Sequence, residues 1–489
     1  RTGYHNLGSA LNPQPPANGE SSWGIISYLG RVNYTLSNKY LFTLTGRLDG
    51  ASKFGEDNKY GFFPSGSVAW KLHQEPFIEQ LGLFTSLKAR LSYGIIGNQE
   101  IGPFGSLATV GPVGQGVFNN NEPYIGQEPL RYPNPGLKWE RTNQADFGVD
   151  AEFLDGRISF TADYYLKNTT DLLLFAPLPT TTGFSSYLAN IGELKNQGFE
   201  AAINSRNTTG ALLWQTSLNF STNRNEITEL ASDSDIPVPG VLQVPAGWSI
   251  LRAGQPLGTF FGLRSAGIFQ SDAEAQSAPS LRGQNAEAGD RRYVDLNGRD
   301  DEGNLTGQPD GVIDEADRTI IGDANPNFIW GLTNTFSFKG IDLSIFIQGV
   351  QGSEIVNAYL FEIGTMTGEV NVLAEYWENR WTENNPSNKY PKVNPNERNI
   401  FSDAQVEDGS FIRIKNITLG YTFPAQWLSK IRMSSARFYL SINNLYTLSD
   451  YRGYDPEVNA FGQNNLLQGI DYGGYPLART AIVGLQLGF

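Results

Sequence analysis

Apolar and polar residues alternate along most of this chain with a period of two, the signature of strands that show different surroundings on their two faces. Tyr28, Gly30, Val32, Tyr34 and Leu36 share one face, with Arg31, Asn33 and Thr35 opposite. Tyr40, Phe42, Leu44, Gly46 and Leu48 oppose Thr43, Thr45, Arg47 and Asp49, and Phe62, Val68, Trp70 and Leu72 oppose Ser65, Ser67 and Lys71. Leu87, Ala89, Leu91, Tyr93 and Ile95 oppose Lys88, Arg90 and Ser92. The 137–153 segment sets Trp139, Ala145, Phe147, Val149, Ala151 and Phe153 against Glu140, Gln144, Asp146, Asp150 and Glu152. Ile158, Phe160, Ala162, Tyr164 and Leu166 oppose Ser159, Thr161, Asp163 and Lys167. Further segments near 196–206, 211–228, 327–339, 341–352, 410–423, 435–447 and 476–489 bring the expectation to about 13 strands, most of about 10 residues or more, long enough to cross a bilayer at a tilt.

The last strand carries its alternation to the final residue, Phe489, with Ala481, Val483, Leu485 and Leu487 on the same face. Terminal residues usually fray unless something ties them down. A closing strand of a barrel is tied, because it must pair and leave no edge in lipid.

The connections sort by parity. Segments 37–38, 73–84, 154–157, 206–210, 339–340 and 424–434 are short, whereas 49–59, 97–136, 168–195, 229–326, 353–409 and 448–475 are long. Short turns on one side and long loops on the other are the asymmetry of outer-membrane barrels, and a β-sandwich has no reason to show it. The strand-like stretch 258–270 then belongs to the 229–326 loop, as a hairpin with residues 291–296. The expected fold is all-β: a transmembrane antiparallel β-barrel with long extracellular loops, in which residues 1–20 lie outside. An odd strand count does not make a complete bacterial barrel, so the expectation is that the chain is the C-terminal part of something larger.

Composition narrows the function. The 489 residues carry a formal net charge of −14, no cysteine and two histidines, His5 and His73. Nucleic acid is a poor partner for such an acidic chain. Disulfides, zinc–thiolate sites and thiol catalysis are excluded, and two histidines leave little room for metal triads or a Ser-His-Asp arrangement. No apolar run approaches the roughly 20 residues of a membrane-spanning helix, which says nothing against a barrel. The chain opens on Arg1 without an initiator methionine or signal peptide, so its natural beginning is expected to lie elsewhere.

Several runs resemble the SusC/RagA family of TonB-dependent outer-membrane transporters. They are Tyr28-Leu-Gly-Arg-Val-Asn-Tyr34, Lys39-Tyr-Leu-Phe42, Arg47-Leu-Asp-Gly-Ala-Ser-Lys-Phe-Gly55, Phe63-Pro-Ser65 with Ala69-Trp70, Leu91-Ser-Tyr-Gly94 with Gly97-Asn98, and Gly198-Phe-Glu200. Tyr293-Val-Asp-Leu-Asn-Gly298, Asp310-Gly-Val-Ile-Asp314 with Asp317, and Ile321-Gly322 follow in order, and the final Phe489 completes a match over nearly the whole chain. The resemblance implies a 22-stranded barrel, about nine strands more than this chain supplies, plugged by an N-terminal domain. It also implies coupling to TonB through an N-terminal region absent here, and a SusD-like surface lipoprotein acting as a lid. The function expected is TonB-dependent import of oligosaccharides or oligopeptides across the bacterial outer membrane. The alternatives are a passive porin-like channel and a non-membrane surface adhesin or carbohydrate-binding β-protein.

Three loop features carry candidate chemistry. Asp295, Asn297, Asp310, Val312 (through its carbonyl), Asp314 and Asp317 form an EF-hand-like series of oxygen donors for a structural Ca2+, interrupted by Arg299–Pro309. The alternative is a solvated acidic turn held by side-chain–backbone bonds. Residues 366–382 have helical periodicity, with Val370, Leu373, Trp377 and Trp381 in a stripe that packs among its own loops or docks the lid lipoprotein. Trp248, Phe260, Phe261 and Tyr359 are the candidates for stacking on a glycan or peptide ligand. No carboxylate pair stands out for hydrolysis, and the chain is not expected to be an enzyme.

Overall fold

The structure, a computed structural model, describes residues 21–489 except 119–121, 231–233, 365–369, 394–399, 429–432, 458 and 463. Residues 1–20 and the first turn of the expected 366–382 helix lie outside the described residues.

One sheet of 13 strands, each paired antiparallel with its sequence neighbours, forms the wall. In order these are β1 (Ile25–Leu36), β2 (Tyr40–Ala51), β3 (Tyr60–Lys71), β4 (Phe84–Asn98), β5 (Glu140–Phe153), β6 (Ile158–Thr170) and β7 (Glu193–Arg206). They continue as β8 (Leu212–Glu229), β9 (Phe328–Phe338), β10 (Ile341–Gln351), β11 (Phe411–Thr422), β12 (Ser435–Leu448) and β13 (Thr480–Gly488). The wall is a partial barrel, with β1 and β13 at its two edges. Among the described residues no helix is long and apolar enough to cross a membrane, which says nothing of a β-barrel.

Tight turns fix the register at one end. Lys339 and Gly340 both take positive φ, 48° and 87°, the two-residue geometry whose twist matches the strands it joins. At Gly340 the requirement is strict, because a Cβ there would lie 2.7 Å from the Thr422 carbonyl oxygen. At the other end of the wall run the long connections 99–139, 171–192, 230–327, 352–410 and 449–479.

Because a one-residue slip would turn every side chain over, the pairing defines two surfaces. Val68, Leu91, Phe147, Tyr164 and Phe199 are successive partners across β3 to β7. Leu218, Leu332, Ile347, Ile414 and Tyr446 continue the outward rows across β8 to β12. Leu44, Leu91 and Leu485 on this surface are 66%, 58% and 61% exposed, a level of apolar exposure that only lipid makes favourable. The inward surface pairs Ser67 with Ser92 and Ser92 with Asp146, and pairs Arg90 with Gly148 and Gly148 with Asp163.

Several expectations are corrected. Trp139, assigned to the outward row, is buried just before β5 in a cluster with Ala51, Phe54, Phe63, Ile101 and Leu137. Ile95 packs against the same cluster, while Ile96 is exposed; pairing between β3 and β4 stops at Ser65 and Gly94, which frees the end of β4 to twist. Residues 258–270 do not form one hairpin strand. Thr259–Gly262 pairs with Thr319–Asp323, and only Ser265–Ile268 pairs with Arg291–Tyr293. The described part of the 366–382 stripe is a helix only over Ala374–Asn379; Trp381 lies beyond it and donates from Nε1 to Gln270 Oε1 at 3.2 Å.

Candidate functional site: lumenal wall and loop assembly

Long polar side chains on the inward surface cross a neighbouring strand to reach the one beyond, and a glycine makes each crossing possible. Arg90 on β4 holds Asp150 on β5 through Nε and Nη2, both at 3.0 Å, and reaches Asp163 on β6 at 2.8 Å. Gly148 lies between, where a Cβ would sit 2.2 Å from Asp163 Oδ1 and 2.6 Å from the Arg90 guanidinium carbon. Lys88 adds a 2.8 Å contact to Asp150. The same device recurs on β10 to β12, where Arg437 holds Asp342 across Gly420. A third version sends the Tyr165 hydroxyl over Gly198 to Asn223 Oδ1 at 2.9 Å. Near β1 to β5 the inward surface also forms a cleft of about 680 Å3 lined by Arg31, Arg47, Asp49, Ser92, Asp146 and Trp139, among others.

Beyond the wall, three long connections share one apolar core. Trp248, Leu251 and Phe260 come from 230–327, Val356, Phe361 and Phe401 from 352–410, and Ile470 from 449–479. Strand Glu354–Asn357 joins Val406–Asp408 antiparallel and Ile470–Asp471 parallel. Polar contacts lock the joint. The Tyr451 hydroxyl donates to Asp471 Oδ2 at 2.6 Å, and burial, with Asp471 beside it, pushes the phenol well above its usual range. Arg452 bonds Glu407 at 2.8 Å. Burial also pushes the Glu354 carboxyl up, against the backbone N–H of Asp323 that its carboxylate accepts at 2.8 Å.

A buried arginine of the wall binds this assembly. Arg413 on β11 is 1% exposed and binds both Asp455 and Glu457 of 449–479. A register shift at Lys415 brings Lys415 to Glu457 as well, at 2.8 Å. Burial alone would raise Asp455, but the Arg413 hydrogen bond and the N–H groups of Glu457 and Leu477 hold its carboxyl below the usual range. Sequence reasoning missed this clamp because its partners are 42 and 44 residues apart and no periodicity links them.

Of the four aromatic candidates for ligand contact, Trp248 and Phe260 are fully buried, so they pack the loop core and present no surface. Phe261 lies between the guanidinium groups of Arg252 and Arg318, 5.1 and 5.3 Å from its ring centre. Tyr359 alone is open, 36% exposed beside Tyr472.

The acidic series is gathered in one loop, but its carboxylates serve the backbone. Asp317, fully buried, accepts from Leu296 N at 2.7 Å, Asn297 N at 3.0 Å and Asp314 N at 2.8 Å. Asp295 accepts from Gly311 N at 2.8 Å, Asp310 from Val312 N at 2.9 Å and Asp314 from Ala316 N at 2.7 Å. Asn297 accepts from Gly307 N. The donor types suit a hard cation, yet among the described residues no three acidic or histidine side chains gather as a ligand set.

Strands long enough to span a bilayer, an apolar outward belt, a charged inward surface and loops massed at one end define an outer-membrane β-barrel. Residues 2–309 match the family described as "TonB dependent receptor-like, beta-barrel", and the chain belongs to that family. It is 37% identical over 99% of its length to TonB-dependent receptor P3 of Formosa agariphila, covering 48% of that protein. It is 31% identical over 95% of its length to TonB-dependent receptor SusC of Bacteroides thetaiotaomicron, covering 44%. The solved RagAB peptide importer in its closed-closed state superposes with a TM-score of 0.78 at 25% identity, over 96% of this chain and 48% of that one. The chain thus spans about half the length of its relatives. The family is a transporter family of the outer membrane, which removes the reading as a non-membrane adhesin.

Proposed function

We propose that this chain supplies the C-terminal wall and most of the capture loops of a TonB-dependent importer of oligosaccharides or oligopeptides, working with a SusD-like surface lipoprotein and an N-terminal plug. The observation that carries the reading is the loop assembly, in which three connections share one core and a buried clamp at Arg413 ties it to the wall. A common core holds the three connections in one arrangement, which suits a surface that binds a ligand. Resemblance to the RagAB peptide importer supports an oligopeptide within that range. The test is uptake of labelled oligosaccharide and oligopeptide mixtures by cells carrying the complete transporter, with and without a protonophore. Uptake that stops when the proton gradient collapses supports energised import. Uptake that persists would point to the passive channel.

We also propose a structural calcium in the 289–322 loop, supported by the order of its oxygen donors and by the four carboxylates of Asp295, Asp310, Asp314 and Asp317 within one segment. Chelation is expected to speed proteolysis or hydrogen exchange in 289–322 and leave the strands unchanged. Identical exchange with and without chelator would favour the backbone-bonded turn.

A further inference from the structure

We propose that the turn 72–83 is a membrane foot, which seats Phe77, Leu81 and Leu83 in the phospholipid leaflet on the periplasmic side of the wall. The turn joins β3 to β4 at the end of the wall that carries the short connections, the periplasmic end of outer-membrane barrels. Its direction is set by Glu75, whose carboxylate accepts from Trp70 Nε1 at 3.0 Å, Tyr40 Oη at 3.2 Å and Lys39 Nζ at 3.1 Å. Trp70 and Tyr40 are cross-strand partners on the outward surface, with ring centres 6.0 Å apart. The turn therefore folds onto the lipid side of the wall's rim and away from the lumen.

His73 pins the start of the turn to β4, with Nδ1 3.1 Å from the Leu87 carbonyl oxygen. Between these anchors the short helix Pro76–Glu79 and the residues after it leave Phe77, Leu81 and Leu83 58%, 54% and 62% exposed. The apolar surface is continuous with the belt: Leu83 leads into Phe84, whose ring packs 5.1 Å from that of Phe153 at the same end of the outward surface. Residues 423–428, which follow β11, mark the same level independently, with Trp427 60% exposed beside Phe423. Water would leave this crest uncovered, whereas the boundary between headgroups and acyl chains takes Phe, Leu and Trp favourably.

This chain contains no cysteine, so an introduced thiol is unique once any cysteine in the remainder of the transporter is replaced by serine. A fluorophore introduced by Phe77→Cys or Leu81→Cys in the assembled transporter, reconstituted in phospholipid vesicles, is expected to be quenched by lipids bearing a nitroxide near the headgroup. That quenching should exceed several-fold the value for Leu305→Cys in an outer loop. Leu91→Cys, quenched by nitroxides deep in the acyl chains, reports wall insertion separately, so failure of the foot is distinguished from failure of the barrel. Should either foot variant assemble poorly, Leu83→Cys carries the same test. Quenching no greater than at Leu305→Cys would overturn the proposal. So would protection from a soluble quencher in cells but not in pure phospholipid vesicles, which would assign the crest to a periplasmic protein.

Discussion

Arginine in place of Leu91 is expected to cost about 2–4 kcal/mol of folding free energy in lipid, whereas arginine in place of Ser92 should cost little. Leu91 lies at the middle of β4, between Val68 and Phe147 on the outward surface. A guanidinium there meets hydrocarbon with no water or counter-ion in reach. Ser92, one residue along, points inward and donates to Asp146 Oδ2 at 3.0 Å; an arginine would find that carboxylate and a hydrated lumen. The measurement is folding into vesicles for Leu91→Arg beside Ser92→Arg in the assembled protein. Equal tolerance at the two positions would mean that the faces are inverted or that the wall does not span lipid.

The second large effect is expected at the clamp. Arg413→Met should loosen the 449–479 loop by about 3–5 kcal/mol, because removal of one partner strands Asp455 as a buried, uncompensated charge. Asp455 is 4% exposed. Hydrogen exchange in 449–479, read against exchange in β4 and β5, measures the local opening. Replacing Asp455 with Asn in the Arg413→Met background should recover much of the loss, since Glu457 keeps Lys415 as its partner and no buried charge is then left unpaired. A single-variant effect below about 0.5 kcal/mol, the size of an ordinary surface change, would show that the loop core holds without the clamp. Acid should weaken the same joint: with the Asp455 carboxyl held low, its contribution is complete above the ordinary carboxylate value of about 3.9 and is lost as pH falls through the lowered one.

Much of the wall is legible in the sequence because strand physics is local. Alternation at Leu87–Tyr93 or Ile158–Leu166 states which residues share a face, and the lengths of the connections state which end each strand leaves from. Where local rules are broken by a neighbour, legibility stops. Ile95 and Trp139 obey the outward parity but pack with Phe63 in an inner cluster, because a partner strand ends and the backbone twists. Gly148, Gly420 and Gly198 read as weak points in strands, yet each is a gap through which a longer side chain crosses.

The candidate site divides the same way. The acidic series 295–317 and the aromatic loops are visible as composition, and the resemblance to TonB-dependent transporters is visible as ordered motifs. Burial is not visible: Trp248 and Phe260 look like Tyr359 in a sequence, and only packing separates two core residues from one exposed ring. The sequence by itself determined the strands, their faces and the asymmetry of the connections, since these follow from periodicity and length within a single segment. Only the tertiary structure decided which loops share a core, which arginine fastens them and which way the 72–83 turn folds, because those contacts join residues remote in sequence whose meeting no local pattern encodes.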